Sequence, residues 1–448
     1  MSSFNKTKSA TLISEDEPPS KIPEWSEKSE DEPPSTKAAF RHRYYPNVSA
    51  VEWKDWKWHF QNRITSIDDL TQFIPLSVEE QINLRLVTIQ YPISITPYYL
   101  SLIDPDDPND PIRKEAVPDV LEITMSGMGM EDPLEEKRDS VVPGLVHRYP
   151  DRVLMVLTDV CPMLCRHCTR KREWKHGFWV RSPEQVDAMI AYIRRHKNVR
   201  DVIISGGDPL TLSTKRLEEV ISALRKINHV EIIRIGTRFP VVLPFRIDSE
   251  LCDMLSEYGP IWLNTHFNHP REVTEEAAIA CDRLVRAGVP VNNQSVLLRG
   301  VNDNVETMLK LCHNLLRIKV RPYYLFQCDE VQGTEHLRTP VETGIKIIDG
   351  MRGHTSGLAV PTFVIDLPFG GGKVPLQPNY VLAQDDGELL IRNYKYDLYR
   401  FRNPNPEAIL REIASKESKE PICSLKQNDA LSVQNKPEEC NYADRVVV

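Results

Sequence analysis

The chain has no excess of positive charge: 64 aspartates and glutamates against 56 lysines and arginines leave a formal net charge of −8 over 448 residues. Phosphate neutralisation needs clustered Lys and Arg, so nucleic acid is not expected as a partner. No run of about 20 apolar residues occurs that could span a bilayer, and Met1 to Ala10 lack the apolar core of a signal peptide. A cytoplasmic protein without membrane association is the expectation. Disulfide-framework spacing is missing as well. Cys252, Cys281, Cys312, Cys328, Cys423 and Cys440 are scattered along the chain, which suits a reducing compartment. Small molecules are the expected clients.

An apolar content of 41% is enough for a real core, in one large domain with appendages or in two domains. Ser14-Glu-Asp-Glu-Pro-Pro-Ser20 recurs as Ser29-Glu-Asp-Glu-Pro-Pro-Ser35. Such acidic, Pro-rich sequence cannot offset its ordering entropy, so residues 1–39 are expected to be a disordered extension. Residues 40–145 read as a helical subdomain. Trp53, Trp56, Trp58, Phe60 and Ile64 form a packing face there, and Ser66-Ile-Asp-Asp and Ser77-Val-Glu-Glu carry helix-start signals.

A regular alternation follows. Apolar runs at 153–157, 202–205, 232–235, 261–265, 291–297 and 320–326 are separated by amphipathic stretches at 182–196, 214–227, 248–258, 274–287, 304–318 and 341–351. This predicts an α/β fold, a partial (βα)6 TIM-like barrel spanning 146–373, followed by a C-terminal segment 374–448 whose tail is disordered from about 415. In such barrels reactive groups stand at the carboxyl ends of strands. Ser205-Gly-Gly-Asp208, Thr237-Arg238, Asn264-Thr-His266, Asn293-Gln294 and Gln327-Cys-Asp329 all read as strand-end motifs. One shared mouth is therefore expected.

The first strand leads into Cys161-Pro-Met-Leu-Cys165-Arg-His-Cys168. Three thiolates on one loop can hold three irons of a [4Fe–4S] cube and leave the fourth open. The rival is structural zinc with His167 or His176 as fourth ligand, although no second cysteine knuckle exists. The C-x3-C-x2-C spacing resembles the signature of the radical S-adenosylmethionine (SAM) enzymes, in which the open iron chelates SAM and an electron from the cluster cleaves it.

Further on, Leu367-Pro-Phe-Gly370-Gly-Gly-Lys373-Val374 sets a lysine after glycines. A phosphate-binding P-loop needs wider glycine spacing and Ser or Thr after the lysine, so Val374 excludes it. Lys373 could form a Schiff base with pyridoxal phosphate (PLP), against the plainer reading of a solvated loop lysine. Together these features resemble the lysine 2,3-aminomutase family, radical SAM enzymes that also use PLP. The resemblance runs from about Tyr44 to Asn393 and is carried by Pro143-Gly-Leu-Val-His-Arg-Tyr-Pro-Asp-Arg152, Cys165-Arg-His-Cys-Thr-Arg170, Thr265-His-Phe-Asn-His-Pro270, Arg321-Pro-Tyr-Tyr324 and Arg352-Gly-His-Thr-Ser-Gly357.

The resemblance implies roles. Cys161, Cys165 and Cys168 would hold the cluster, and Lys373 would carry PLP, whose phosphate falls to Arg148, Tyr149 and Arg152. Surface salt bridging is the plainer reading of the two arginines. Ser205, Gly206, Gly207 and Asp208 match the family's segment for the SAM amino group, and His266 and Gln294 match further SAM contacts. Arg170 matches the arginine that takes the substrate carboxylate. Asp329 and Asp366 match the pair that grips the distal ammonium in lysine-specific members. A lysine 2,3-aminomutase is thus implied, moving the α-amino group to C3 to give β-lysine. Arginine or a protein lysyl side chain is the alternative substrate, and a non-catalytic metal protein the alternative class.

Two departures stand out, Phe369 where relatives commonly have Gly and Phe326 where Tyr is usual. Position 304, a cysteine in clostridial-type zinc-binding members, is Asn304, so no zinc is expected. An electron donor for the cluster and a homo-oligomer complete the expected partners.

Overall fold

The computed structural model describes residues 37–417 apart from 386. The repeated acidic motif, Cys423 and Cys440 lie outside these residues. The described residues run slightly past the expected bounds at both ends. A helix spans Lys37–Tyr44, because Phe40 buries its ring against Tyr44, Trp53 and Phe73. At the other end a helix spans Pro406–Glu417, past the expected limit near 415.

The N-terminal region is a set of short helices set off by capping residues. Asp55 caps Trp56–Gln61, Ser66 caps Ile67–Leu70, and Ser77 forms a reciprocal capping box with Glu80 on Val78–Gln90. Trp53 and Trp58 pack together at 5.6 Å, whereas Trp56 sets its edge against Phe239 beyond the sheet. The aromatic run is therefore a packing face that docks the helices onto the barrel.

Ten strands form one sheet in sequence order: β1 Ser140–Val142, β2 Leu145–Tyr149, β3 Arg152–Val156, β4 Asp201–Ser205, β5 Ile232–Gly236, β6 Ile261–Thr265, β7 Val291–Leu297, β8 Arg321–Gln327, β9 Thr362–Leu367 and β10 Gly372–Pro375. From β3 to β9 the pairing is parallel, and the antiparallel β1–β2–β3 and β9–β10 form the two ends. Six βα units closed by a seventh parallel strand make the partial barrel. The sheet begins inside the segment read as helical, since β1 and the first residue of β2 fall before position 146. A bulged three-residue strand in charged sequence gives too short a pattern to read.

Six helices cover the outer face, at Pro183–Arg195, Thr214–Arg225, Ser249–Glu257, Glu275–Arg286, Val305–Arg317 and Val341–Met351. Ser182, Ser213, Asp248, Thr274 and Asn304 cap the first five. Strand alternation then decides what faces inward. On β4, Val202 and Ile204 are fully buried beneath the helices, while Asp201, Ile203 and Ser205 line an internal cavity. Each such buried side chain contributes about 1.5–3 kcal/mol.

Beyond β10 a separate antiparallel sheet is built from β11 Val381–Gln384, β12 Glu388–Arg392 and β13 Leu398–Arg402. Tyr399 and Phe401 on it, with Ile409 and Leu410 on the helix that follows, are exposed.

Candidate active site

The barrel encloses a cavity of about 740 Å³, within the range of pockets that hold drug-sized ligands. It is lined by Cys161, Cys165, Cys168, Arg148, Tyr149, Arg152, Arg170, Ser205, Gly206, Gly207, Asp208, His266, Gln294, Asp329, Asp366 and Lys373. Residues more than 200 positions apart thus meet in one mouth.

The cysteine loop is held from both sides. Arg166, buried between the cysteines, pairs with Glu122 at 2.6 Å, and Lys171 joins the same carboxylate at 2.7 Å. Leu164 N donates to Ser94 O at 3.0 Å and Arg166 N to Glu115 O at 2.9 Å, so the N-terminal helices brace the loop. On the other side Gly207 N donates to Thr158 O and Asp208 N to Val160 O. A Cβ at Gly206 would lie 2.2 Å from Thr158 O. These glycines therefore let the strand-end segment lie directly on the backbone entering the cysteine loop.

Burial, then the charge of its neighbours, pushes Cys161 well above its ordinary range, and the same causes push Cys168 up to about 11. The three are thiols until metal displaces their protons. Among the described residues no three His, Cys, Asp or Glu side chains converge on a single ion. A cube does not ask for that, because each cysteine ligates its own iron. His167 is buried, with Nε2 3.5 Å from Asn268 Nδ2.

Arg238 carries more than the sequence disclosed. Its Nη1 donates to Cys165 Sγ at 3.0 Å, its Nε to His266 O at 3.0 Å, and its Nη2 to Glu272 and Glu115. Asp208 is engaged within the protein: its carboxylate accepts from Thr237 Oγ1 at 2.7 Å and Arg238 N at 2.8 Å, its N–H donates to Val160 O, and its carbonyl accepts from Thr211 Oγ1 at 2.7 Å. Gln294 is not at a strand end, as Asn293-Gln294 suggested, but in the middle of β7, at an irregularity in pairing with β8. It reaches the cavity because it is on the inward face. Ser205 and Gln294 present side-chain polar groups there without a protein hydrogen-bond partner among the described residues, which suits a polar ligand. Burial holds His266 down to about 4, so it is neutral at pH 7.

At the opposite wall Lys373 lies directly across from Asp366 in the β9–β10 pairing. Its Nζ donates to both carboxylate oxygens at 2.7 Å and stands 4.8 Å from the Phe326 ring. Tyr149 Oη accepts from Lys373 N at 3.0 Å, and Arg152 stacks on the Tyr149 ring at 3.9 Å. Arg152 also pairs with its neighbour Asp151 at 3.0 Å, whereas Arg148 is tied to Asp139 at 2.7 Å. Phe369 has φ +56°, a left-handed conformation that favours glycine.

Burial, followed by the charge of Asp366, pushes Asp329 up to about 7, opposed by Lys373. Arg170 is fully engaged on one side: Nε and Nη2 hold Glu136 at 3.0 and 2.7 Å, and Nη1 donates to Gly206 O at 3.1 Å. Glu136 escaped sequence reading because it sits in an aperiodic charged loop. Arg238 was legible by place but not by partner.

Three cysteines on the loop after the first parallel strand of such a sheet define a radical SAM protein, and residues 155–312 match the model described as the radical SAM superfamily. Residues 348–439 match the model described as lysine-2,3-aminomutase. Over 364 residues the chain is 53% identical to the L-lysine 2,3-aminomutase of Clostridium subterminale, covering 81% of this chain and 88% of that protein. It is 48% identical to that of Bacillus subtilis (84% and 82% covered) and 41% identical to the glutamate 2,3-aminomutase of Clostridioides difficile (78% and 82%). The chain belongs to the lysine 2,3-aminomutase family.

Proposed function

We propose that this chain is an L-lysine 2,3-aminomutase, an isomerase that moves the α-amino group of lysine to C3 and gives β-lysine. The observation that carries the reading is the occupant of Asp366. The free side chain of Lys373 is a primary alkylammonium, chemically the distal end of a lysine substrate, and it rests on one aspartate of the pair.

The residues fit the family's cofactors: three thiols on one wall for a [4Fe–4S] cluster, unpartnered Ser205 and Gln294 beside it for SAM, and Lys373 with Tyr149, Arg148 and Arg152 across the cavity for PLP. When bound, cluster and SAM supply a carbon-centred radical, and PLP a ring over which an unpaired electron can spread. The chain does the rest. Arg170 keeps two N–H groups free for the substrate carboxylate. Lys373 would hold PLP through its nitrogen, and Asp366 with Asp329 would grip the distal ammonium. A substrate held at both ends would offer a fixed C–H position, which is the positioning a radical reaction needs.

An anionic distal group, as in glutamate, meets two carboxylates and is repelled. An electron donor, a cytoplasmic setting and a homo-oligomer belong to the same reading. The exposed Tyr399, Phe401, Ile409 and Leu410 support the oligomer, since exposed apolar clusters mark contact surfaces.

The test is anaerobic incubation with SAM, PLP, reductant and lysine, scored for β-lysine. Asp329→Ala should raise the lysine KM about 100-fold or more, since removing one partner of a buried charge pair costs about 3–5 kcal/mol, while SAM cleavage persists. Unchanged lysine kinetics in that variant would remove the substrate assignment.

A further inference from the structure

We infer that Glu136 is the positioning residue that presents Arg170 to the substrate carboxylate. The inference rests on the assignment of Arg170 to that carboxylate.

A guanidinium has five N–H donors in a rigid plane. Glu136 takes two and Gly206 O takes one. Two remain, the number that one bidentate carboxylate requires. Glu136 therefore does not block the site: it occupies one edge of the fork and fixes the plane so that the remaining donors face the cavity, which Glu136 and Arg170 both line. Without it the long arginine side chain would have to be ordered by the substrate itself.

Glu136 is itself firmly held. Arg172, which is buried, donates to its second oxygen at 2.8 Å and also pairs with Asp132 at 3.2 Å. Burial works against the charge of Glu136, but Arg170 and Arg172 overcome it and hold the carboxyl down to about 2. It stays ionised across the working pH range.

The backbone around it has a second attachment at each end of the substrate site. Met130 N donates to Glu330 O at 2.7 Å and Met130 O accepts from Gln332 N at 2.9 Å, beside Asp329. Pro133 O accepts from Phe369 N at 2.9 Å, in the turn before Lys373. A Cβ at Gly129 would come within 2.6 Å of Gln332 N, so the segment lies flat on that loop. One strap thus ties the arginine, the aspartate loop and the lysine turn to a common frame.

Glu136→Gln keeps shape and removes the charge, leaving one acceptor oxygen. Loss of a charge-assisted bond corresponds to roughly 10- to 100-fold, and this should appear in the lysine KM with kcat kept within about threefold. Should that variant not fold, Glu136→Asp carries the same test, because its shorter arm cannot span both nitrogens. In an Arg170→Met background the Glu136 substitution should add nothing further to KM. An unchanged or lowered KM in Glu136→Gln, a loss confined to kcat, or a full additional effect without Arg170 would overturn the inference. An Arg170→Met enzyme with unchanged lysine KM would instead overturn the carboxylate assignment itself, whatever Glu136 does.

Discussion

Asp329→Asn should make the cofactor-free protein more stable, and only at high enough pH. In the folded chain burial and Asp366 raise the Asp329 carboxyl to about 7, whereas an unfolded aspartate ionises near 3.9. A group raised in this way opposes folding once it must ionise. The cost is absent below about pH 4, grows through the window from about 4 to 7, and is complete above it. Asparagine preserves the shape and removes the titration. A displacement of roughly three units corresponds to a ceiling of about 4 kcal/mol at 1.36 kcal/mol per unit, and water entering the open cavity lowers that figure. The advantage of the variant should therefore grow by about 1–3 kcal/mol between pH 5 and pH 8. For a chain of this size that is roughly 1–2 °C of melting temperature per kcal/mol. The assay is thermal or urea denaturation of both proteins, without cofactors, at the two pH values. An equal advantage at both, or a variant less stable at pH 8, would refute the argument that burial and the Asp366 charge outweigh Lys373 at Asp329. The same substitution should weaken lysine binding, so stability and substrate recognition move in opposite directions.

Glu122→Gln strands the buried charges of Arg166 and Lys171. It should cost about 3–5 kcal/mol in denaturation and lower the iron retained per chain, and an unchanged melting point would show that the N-terminal helices do not brace the cysteine loop. Arg238→Lys keeps the positive charge between Glu115 and Glu272 but loses the fork that reaches Cys165 Sγ. Donors to cluster sulfurs stabilise the reduced state, so the midpoint potential of the reconstituted protein should fall, read by redox titration of its electron paramagnetic resonance signal. An unaltered potential would mean that the bond does not persist beside iron.

What the sequence disclosed follows from periodicity. Runs such as Val202–Ser205 and Ile261–Thr265 became strands because alternation on a sheet covered by helices leaves a readable apolar trace. Ser66 and Ser77 announced helix starts because a side-chain cap is a local device. Gln294 was named as a site residue but read as a strand end; it stands mid-strand because the length of β7 and its pairing with β8 are not encoded in a local pattern. Glu136 was hidden more completely, since neither its loop nor its partners Arg170 and Arg172 repeat with any period. Phe369 looked like a departure in the cofactor loop, and the backbone shows its character, a left-handed position filled by a large side chain. The Lys373–Asp366 contact could have been anticipated from two strands separated by a Pro-Phe-Gly-Gly turn, had the short β10 been recognised.

That contact also sets an order of events. As long as residue 373 is an uncombined amine it behaves as a tethered mimic of the amino acid's far end and sits on the same anchor. An enzyme awaiting its vitamin B6 group would then hold lysine poorly and would not sequester it from the cell's pool. The tether and the incoming amino acid therefore compete for one seat whenever residue 373 is uncombined.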